Sequence, residues 1–328
     1  MTLQYRTIEE DVVSAEISSR GRLQFEGADA ARFLHALVTN DVAGLVPGRG
    51  VYAAWLTPQG RMITDLRLLR TEDAILAEVP EGLAADLQSR FDQLLFSEDV
   101  QVTDITASTR AWLVAGGRAA AVVAAETGAD PAAVAALPIL GHLTAGDFRV
   151  IRTDDSNLPT FEIWVKTAPE KDVGCLFEGT SSEVIFPKIT SELIFDSLRI
   201  EAGRPKFGVD MTPETIPLEA GLLDRAISQS KGCYVGQEVV VRILHRGGGK
   251  VVKHLMRLEC DPAVTAVPEA GAALQHDGKS VGTVTSAATS LLSGRVIALG
   301  YVHRDAAVVG NTLHLPSGAS ATIVGFAG

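Results

Sequence analysis

The stretch Lys231-Gly232-Cys233-Tyr234-Val235-Gly236-Gln237-Glu238 sets one cysteine in a short loop between two glycines. Glycine accepts positive φ and close backbone approach, so such a loop can bend tightly around a ligand. Lys231 precedes the cysteine by two residues, and Arg242 and Arg246 follow it. A nearby cation or a helix N-terminus favours the thiolate and raises its reactivity. Cys233 is therefore a candidate reactive residue; the alternative is a small buried hydrophobe, the common fate of a free cysteine. Gly236-Gln237-Glu238 can open a helix with Glu238 in its first turn. The run Val239-Val240-Val241 favours a strand instead, and the sequence leaves the two open.

Downstream of Gly247-Gly248-Gly249 the pattern is strand-rich. Val252–Leu258, Ala272–Gln275, Ser280–Thr285, Val296–Tyr301, Asn311–Leu315 and Ala321–Val324 read as strands, with an Asp-Gly hairpin signal at Asp277-Gly278. Six short strands with tight turns predict a small separate barrel.

Upstream the pattern is mixed. Val12–Ile17 reads as a strand. Ala30, Phe33, Leu34, Leu37 and Val38 follow a helical template with Asp29 as cap. Val51–Leu56 and Arg61–Leu69 form a hairpin around Thr57-Pro58-Gln59-Gly60, a type I turn pattern. Its second strand puts Met62, Leu66 and Leu68 on one face and Ile63, Asp65 and Arg67 on the other. Leu83, Leu87, Phe91, Leu94 and Leu95 mark a second helix. Val100–Thr106, Ala111–Ala115, Phe148–Thr153 and Phe161–Val165 read as further strands. Asp130-Pro131 caps a helix, and Ser191–Gly203 is a helix ended by Gly203 and Pro205.

Composition narrows the class. The 328 residues are 46% hydrophobic, enough to bury several cores. A net charge of −11 offers no general attraction to nucleic acid or anionic membrane. Three cysteines, Cys175, Cys233 and Cys260, form no disulfide framework and point to a reducing compartment. Three thiolates also fall short of the four-cysteine shell of an iron–sulfur cluster. The N-terminal stretch lacks the features of a signal peptide, and no apolar run has the length of a membrane span. A cytoplasmic protein is expected, with neither membrane nor direct nucleic-acid contacts. There is no P-loop, GxGxxG, HExxH or GxSxG, and the seven histidines have no metal-ligand spacing. No stably bound metal is expected.

Lys231–Glu238 matches the K-G-C-Y-x-G-Q-E signature of the YgfZ-like family, a long and specific string. Leu37-Val38-Thr39-Asn40-Asp41-Val42, Thr57–Asp65, and Arg199-Ile200-Glu201-Ala202-Gly203-Arg204-Pro205 with Gly208 and Asp210 resemble segments of the wider glycine-cleavage T-protein (aminomethyltransferase) superfamily. The resemblance spans roughly residues 5 to 325.

That resemblance implies an α+β fold of three subdomains in a ring, with a C-terminal antiparallel β-barrel. A folate-binding region at 1–246 is expected, with one subdomain of 1–50 plus 148–246 and an inserted one of 51–147, followed by the barrel at 247–328. It further implies a tetrahydrofolate-binding factor for iron–sulfur cluster assembly or repair, including clusters of tRNA-modifying enzymes, rather than an ordinary metabolic enzyme. Its partners are iron–sulfur client or assembly proteins. Candidate catalytic residues are Cys233 and Asp65. Tyr52, Phe195, Glu201, Lys231, Tyr234, Arg242 and Arg246 are candidate folate contacts. A folate needs an apolar slot, polar partners for its pterin edge and cations for its glutamate tail. Structural alternatives stand beside these roles: Phe195 as core, Glu201 as a helix-end ion-pair member, Tyr52 as an ordinary strand aromatic. One departure matters. The T-protein carries adjacent aspartates where this chain has Thr64-Asp65, which weakens the other reading, a folate-dependent aminomethyl or one-carbon transferase. A tRNA-binding module is disfavoured by the acidic charge.

Overall fold

The structure is a computed structural model describing residues 8–166, 191–246 and 248–328. Cys175 and Gly247 lie outside the described residues. The first part of the chain runs β1 (Val13–Glu16), β2 (Gly21–Glu26), α1 (Ala30–Leu37), β3 (Arg49–Leu56), β4 (Met62–Arg70), β5 (Ala74–Val79), α2 (Ala84–Asp92) and β6 (Gln101–Asp104). It continues with β7 (Thr109–Ala115), α3 (Ala119–Thr127), α4 (Pro131–Ala135), β8 (His142–Ala145), β9 (Phe148–Thr153) and β10 (Thr160–Lys166). These strands form two antiparallel five-stranded sheets, ordered β3-β4-β5-β2-β6 and β1-β7-β10-β9-β8. Sheet membership thus crosses residue 50, since β2 pairs with β5 and β1 with β7, and residue 147, since β10 pairs with β7 and β8 with β9.

Strand alternation explains how the sheets are covered. Phe25, Ala53, Trp55, Leu66 and Leu68 point from the first sheet toward α1 and α2, packing with Phe33, Leu34, Leu87 and Phe91. Trp55 stacks on Phe91 with ring centroids 4.3 Å apart. Phe161, Ile163 and Val165 point from the second sheet toward α3 and α4. The other two faces meet each other. Leu69, Leu76, Ala111, Ile151 and Trp164 form the apolar part of that seam. The expected split of β4, Met62, Leu66 and Leu68 against Ile63, Asp65 and Arg67, holds for Leu66, Leu68, Asp65 and Arg67 but not at the start of the strand: an irregularity in register opposite Trp55 and Leu56 puts Ile63 with Leu66 and Leu68, and Met62 in the cluster of Tyr52 and Leu56.

A helical segment follows: α5 (Ser191–Ala202), α6 (Leu223–Ala226) and α7 (Gln237–Val241), the last continuing into a π-helical turn at Arg242–Arg246. The open choice at Val239–Val241 resolves as helix. Tertiary packing outweighs β-branched propensity there, because the helix buries Val240 against Leu56 and Met62. The chain ends in a closed barrel of β11 (Lys253–Cys260), β12 (Ala273–His276), β13 (Lys279–Thr289), β14 (Val296–His303), β15 (Thr312–His314) and β16 (Ser320–Phe326). Asp277 and Gly278 both have positive φ in the β12–β13 turn, as the Asp-Gly signal requires.

Two capping expectations part ways. Asp130 caps α4 through the Ala132 N–H. Asp29 occupies the cap position of α1 but makes no capping bond. Its carboxylate instead accepts from Arg32 and from the Asp99 N–H, and so ties α1 to the loop before β6.

Candidate functional site

Cross-strand register builds the polar face of the first sheet. Tyr52 lies opposite Arg67, Ala54 opposite Asp65, and Arg67 opposite Glu78. The Tyr52 hydroxyl donates to Asp65 Oδ2 at 2.7 Å, whereas Asp65 Oδ1 is buried with no hydrogen-bond partner. Burial pushes the Asp65 carboxyl above its ordinary range, against the Tyr52 bond and the Arg67 charge. Burial, with the Asp65 charge, also holds the Tyr52 phenol protonated. The Arg225 guanidinium lies 4.9 Å above the Tyr52 ring and grips Asp154 with two bonds of 2.9 and 3.0 Å.

Thr64, the neighbour of Asp65 on β4, is fully buried on the opposite face.

Between the sheets lies a charged cluster. Arg20 and Arg67 both donate to Glu78 Oε1, each at 3.1 Å, and both donate to Glu162 Oε1, at 2.8 and 2.5 Å. Arg67 also bonds Asp155. Trp164 Nε1 donates to the second Glu162 oxygen at 3.2 Å. Two guanidinium groups thus bond three carboxyls. Burial and the neighbouring Glu78 push the Glu162 carboxyl well above its ordinary range. Burial also acts to raise Glu78, but Arg20 and Arg67 outweigh it and keep Glu78 ionised.

Cys233 is exposed. Its loop is fixed on both sides. On one side, Lys231 Nζ donates to the carbonyls of His35, Val38 and Asn40. The ammonium also lies 5.0 Å from the centre of the Tyr234 ring. On the other, Gly236 sits at φ +82°, and a Cβ there would stand 2.5 Å from the Thr57 carbonyl oxygen. A Cβ on Gly60 would come 2.7 Å from Val239 Cβ. The cysteine loop is thus seated on the turn of the hairpin that carries Tyr52 and Asp65. Tyr234 is buried in one apolar cluster with Tyr52, and burial pushes its phenol up to about 12.

The other expected residues are dispersed. Phe195 packs against Ile8, Val13, Ala115 and Leu291, in a cluster separate from that of Tyr52. Glu201 accepts a 2.7 Å bond from Ser290 of the barrel, and burial raises its carboxyl. Arg242 and Arg246 are exposed on the π-helical turn after α7. All three Lys231 hydrogens have carbonyl partners, so it is a helix-end cation here. Sequence reading missed Glu162, Glu78 and Arg20. Its available signal was a lone acid inside the apolar run Phe161–Val165, a carboxylate that only a buried partner can stabilise.

Residues 2–231 match the family model described as the GCVT N-terminal domain. Residues 253–324 match that of the glycine cleavage T-protein C-terminal barrel domain. A chloroplastic protein of Arabidopsis thaliana whose name describes a transferase is 28% identical over 304 residues, covering 92% of this chain and 68% of that protein. An aminomethyltransferase of Synechocystis sp. is 28% identical over 323 residues, covering 95% and 83%. The crystal structure of glycine cleavage system aminomethyltransferase T from Bartonella henselae superposes with a TM-score of 0.80 at 22% identity, over 98% of this chain and 88% of that one. The fold is therefore T-protein-like. Among the described residues, no helix is long and apolar enough to cross a membrane.

Proposed function

The chain belongs to the glycine-cleavage T-protein family, and from that premise we propose that it binds tetrahydrofolate and supports iron–sulfur cluster assembly or repair, including clusters of tRNA-modifying enzymes, through Cys233. The observation that carries this reading is an exposed thiol at the apex of a loop held on both sides. A thiol that meets a cluster or a partner protein must be reachable, and a packed cysteine is inert.

Asp65 supports the folate half of the reading. A buried carboxylate oxygen without a donor is costly, and the N–H groups of a pterin edge fit it. Tyr52 and Tyr234 supply apolar surface beside it, and Arg242 and Arg246 are exposed cations for an anionic tail. Tetrahydrofolate supplies nitrogens that carry one-carbon groups. Asp65 would hold its edge and Tyr52 would hold Asp65.

The second reading, a folate-dependent aminomethyl or one-carbon transferase, is favoured by the same Asp65. Its carboxyl is raised by burial, as suits a group that handles a proton near neutral pH. Titration with tetrahydrofolate, turnover assays with sarcosine or dimethylglycine, and rescue of iron–sulfur enzymes in cells lacking the protein separate the two. The first reading expects binding without turnover and loss of rescue in Cys233→Ala. Turnover together with full rescue by Cys233→Ala selects the second.

A further inference from the structure

We propose that Lys231 is a positioning residue, whose ammonium ties the loop bearing Cys233 to the C-terminal end of α1 and so fixes where the thiol stands. The inference rests on the assignment of function to Cys233.

A helix leaves its last carbonyls without intrahelical donors. The Leu34 carbonyl at the end of α1 is taken by the Val38 N–H. The carbonyls of His35, Val38 and Asn40 instead converge on one ammonium from a segment almost two hundred residues downstream. An ammonium has three donors, and all three are engaged. A cation there also complements the negative end of the helix dipole. Burial lowers the Lys231 ammonium to about 8, with Asp41 opposing, so it is mostly charged at neutral pH.

The surroundings reinforce the tie. Ser228 N–H donates to the Thr39 carbonyl at 3.0 Å, and Lys231 N–H to Ser228 Oγ at 3.2 Å. Thr39 is itself buried, donating to the Ala226 carbonyl and accepting from the Ala54 N–H. Asn40 donates to the carbonyls of Tyr52 and Arg225. The mount for the loop is therefore part of the body that holds Tyr52. Next to Lys231 the contacts thin out: a Cβ on Gly232 would meet nothing within 4 Å, and Cys233 is exposed. The loop is anchored at Lys231, at the buried Tyr234 and at Gly236, and it presents Gly232 and Cys233 to solvent.

Lys231→Met and Lys231→Arg test this, with Cys233→Ala as reference. The readouts are amide hydrogen exchange by peptide, melting temperature, and rescue of iron–sulfur enzymes in cells lacking the protein. For Lys231→Met, exchange across residues 228–236 should rise at least about tenfold, as expected for losing a few charge-assisted hydrogen bonds. Peptides of the barrel and of the two sheets should keep their wild-type rates. Rescue should fall to the Cys233→Ala level although Cys233 still reacts with a thiol reagent, as mass spectrometry of its peptide would show. Lys231→Arg, which can donate to the same carbonyls, should restore part of both signals. Wild-type exchange at 228–236 in Lys231→Met overturns the proposal. So does a uniform rise across the whole chain, which would mark a general loss of stability. Full rescue by Cys233→Ala would instead remove the function assigned to the thiol, while the exchange data would still decide whether Lys231 holds the loop.

Discussion

The Tyr52 hydroxyl donates to the Asp65 side chain and reaches only one of its two carboxylate oxygens. Tyr52→Phe removes that donor and leaves a buried carboxylate bare, at a cost of about 1–3 kcal/mol. Adding Asp65→Asn to Tyr52→Phe should recover part of the loss, because the group left behind is then neutral. Urea unfolding of the single and double variants measures both. Equal stability of Tyr52→Phe and wild type would mean that the bond contributes nothing.

The charged cluster makes a sharper distinction between two glutamates. Burial and Glu78 push the Glu162 carboxyl well above its ordinary range, whereas Arg20 and Arg67, against burial, bring Glu78 below its own, so Glu162→Gln is expected to be the milder change. It should unfold within about 1–2 kcal/mol of wild type, in line with a neutral hydrogen-bond rearrangement. Glu78→Gln leaves two arginines with one fewer anion and should cost about 3–5 kcal/mol, as for a buried pair broken from one side. Denaturant melts at pH 7 settle the order, and the reverse order would contradict the opposite shifts of the two carboxyls.

The two glycines around Cys233 are unequal. Gly236→Ala forces a Cβ onto the Thr57 carbonyl at positive φ, where backbone cannot yield. It should cost about 1–3 kcal/mol and open the loop to protease. Gly232→Ala meets open space and should melt and resist proteolysis like wild type. Limited proteolysis with fragment mapping distinguishes them.

His142 sets a pH dependence. It is 5% exposed, with Nε2 on the Arg70 carbonyl and Nδ1 on an Arg149 N–H, so the ring is neutral with its proton on Nε2. Burial, then the Arg149 charge, lowers it from 6.5 to about 4. Between those values the unfolded chain takes up a proton that the folded chain refuses. Stability is unaffected by this group above pH 6.5 and falls as pH drops toward 4, by about 3 kcal/mol in all. The difference between wild-type and His142→Gln unfolding energies, followed from pH 7 to pH 4, should shrink by that amount. A difference independent of pH would contradict the assignment.

Sequence was most informative where one period governs. All six barrel strands were legible, since each is a short β-prone run bounded by turn residues. The hairpin around Thr57–Gly60 was legible for the same reason, and with it the shared face of Asp65 and Arg67. β2, β5 and β8 were not read as strands. β5 is buried along its whole length and lacks the alternation that signals a half-exposed strand. The cluster around Arg67 was hidden because its members come from β4, β5, β10 and two loops, and only register brings them together. Lys231 shows the complementary limit. Its nearness to Cys233 along the chain suggested a cation for the thiol or for a folate tail, yet the direction of a long flexible side chain is set by acceptors far away in sequence.

The pairing of β1 with β7, Val13 opposite Ala115, constrains how the polypeptide acquires its shape during synthesis. About 100 residues separate the partners, so at 5–20 residues per second β1 waits roughly 5–20 s for its neighbour to emerge. The β3–β6 sheet can close meanwhile, but it does so with Arg67 and Glu78 facing water, since Glu162 is not yet made. The nascent N-terminal half is therefore an incomplete folding unit whose interior charges find their balance only when β10 arrives.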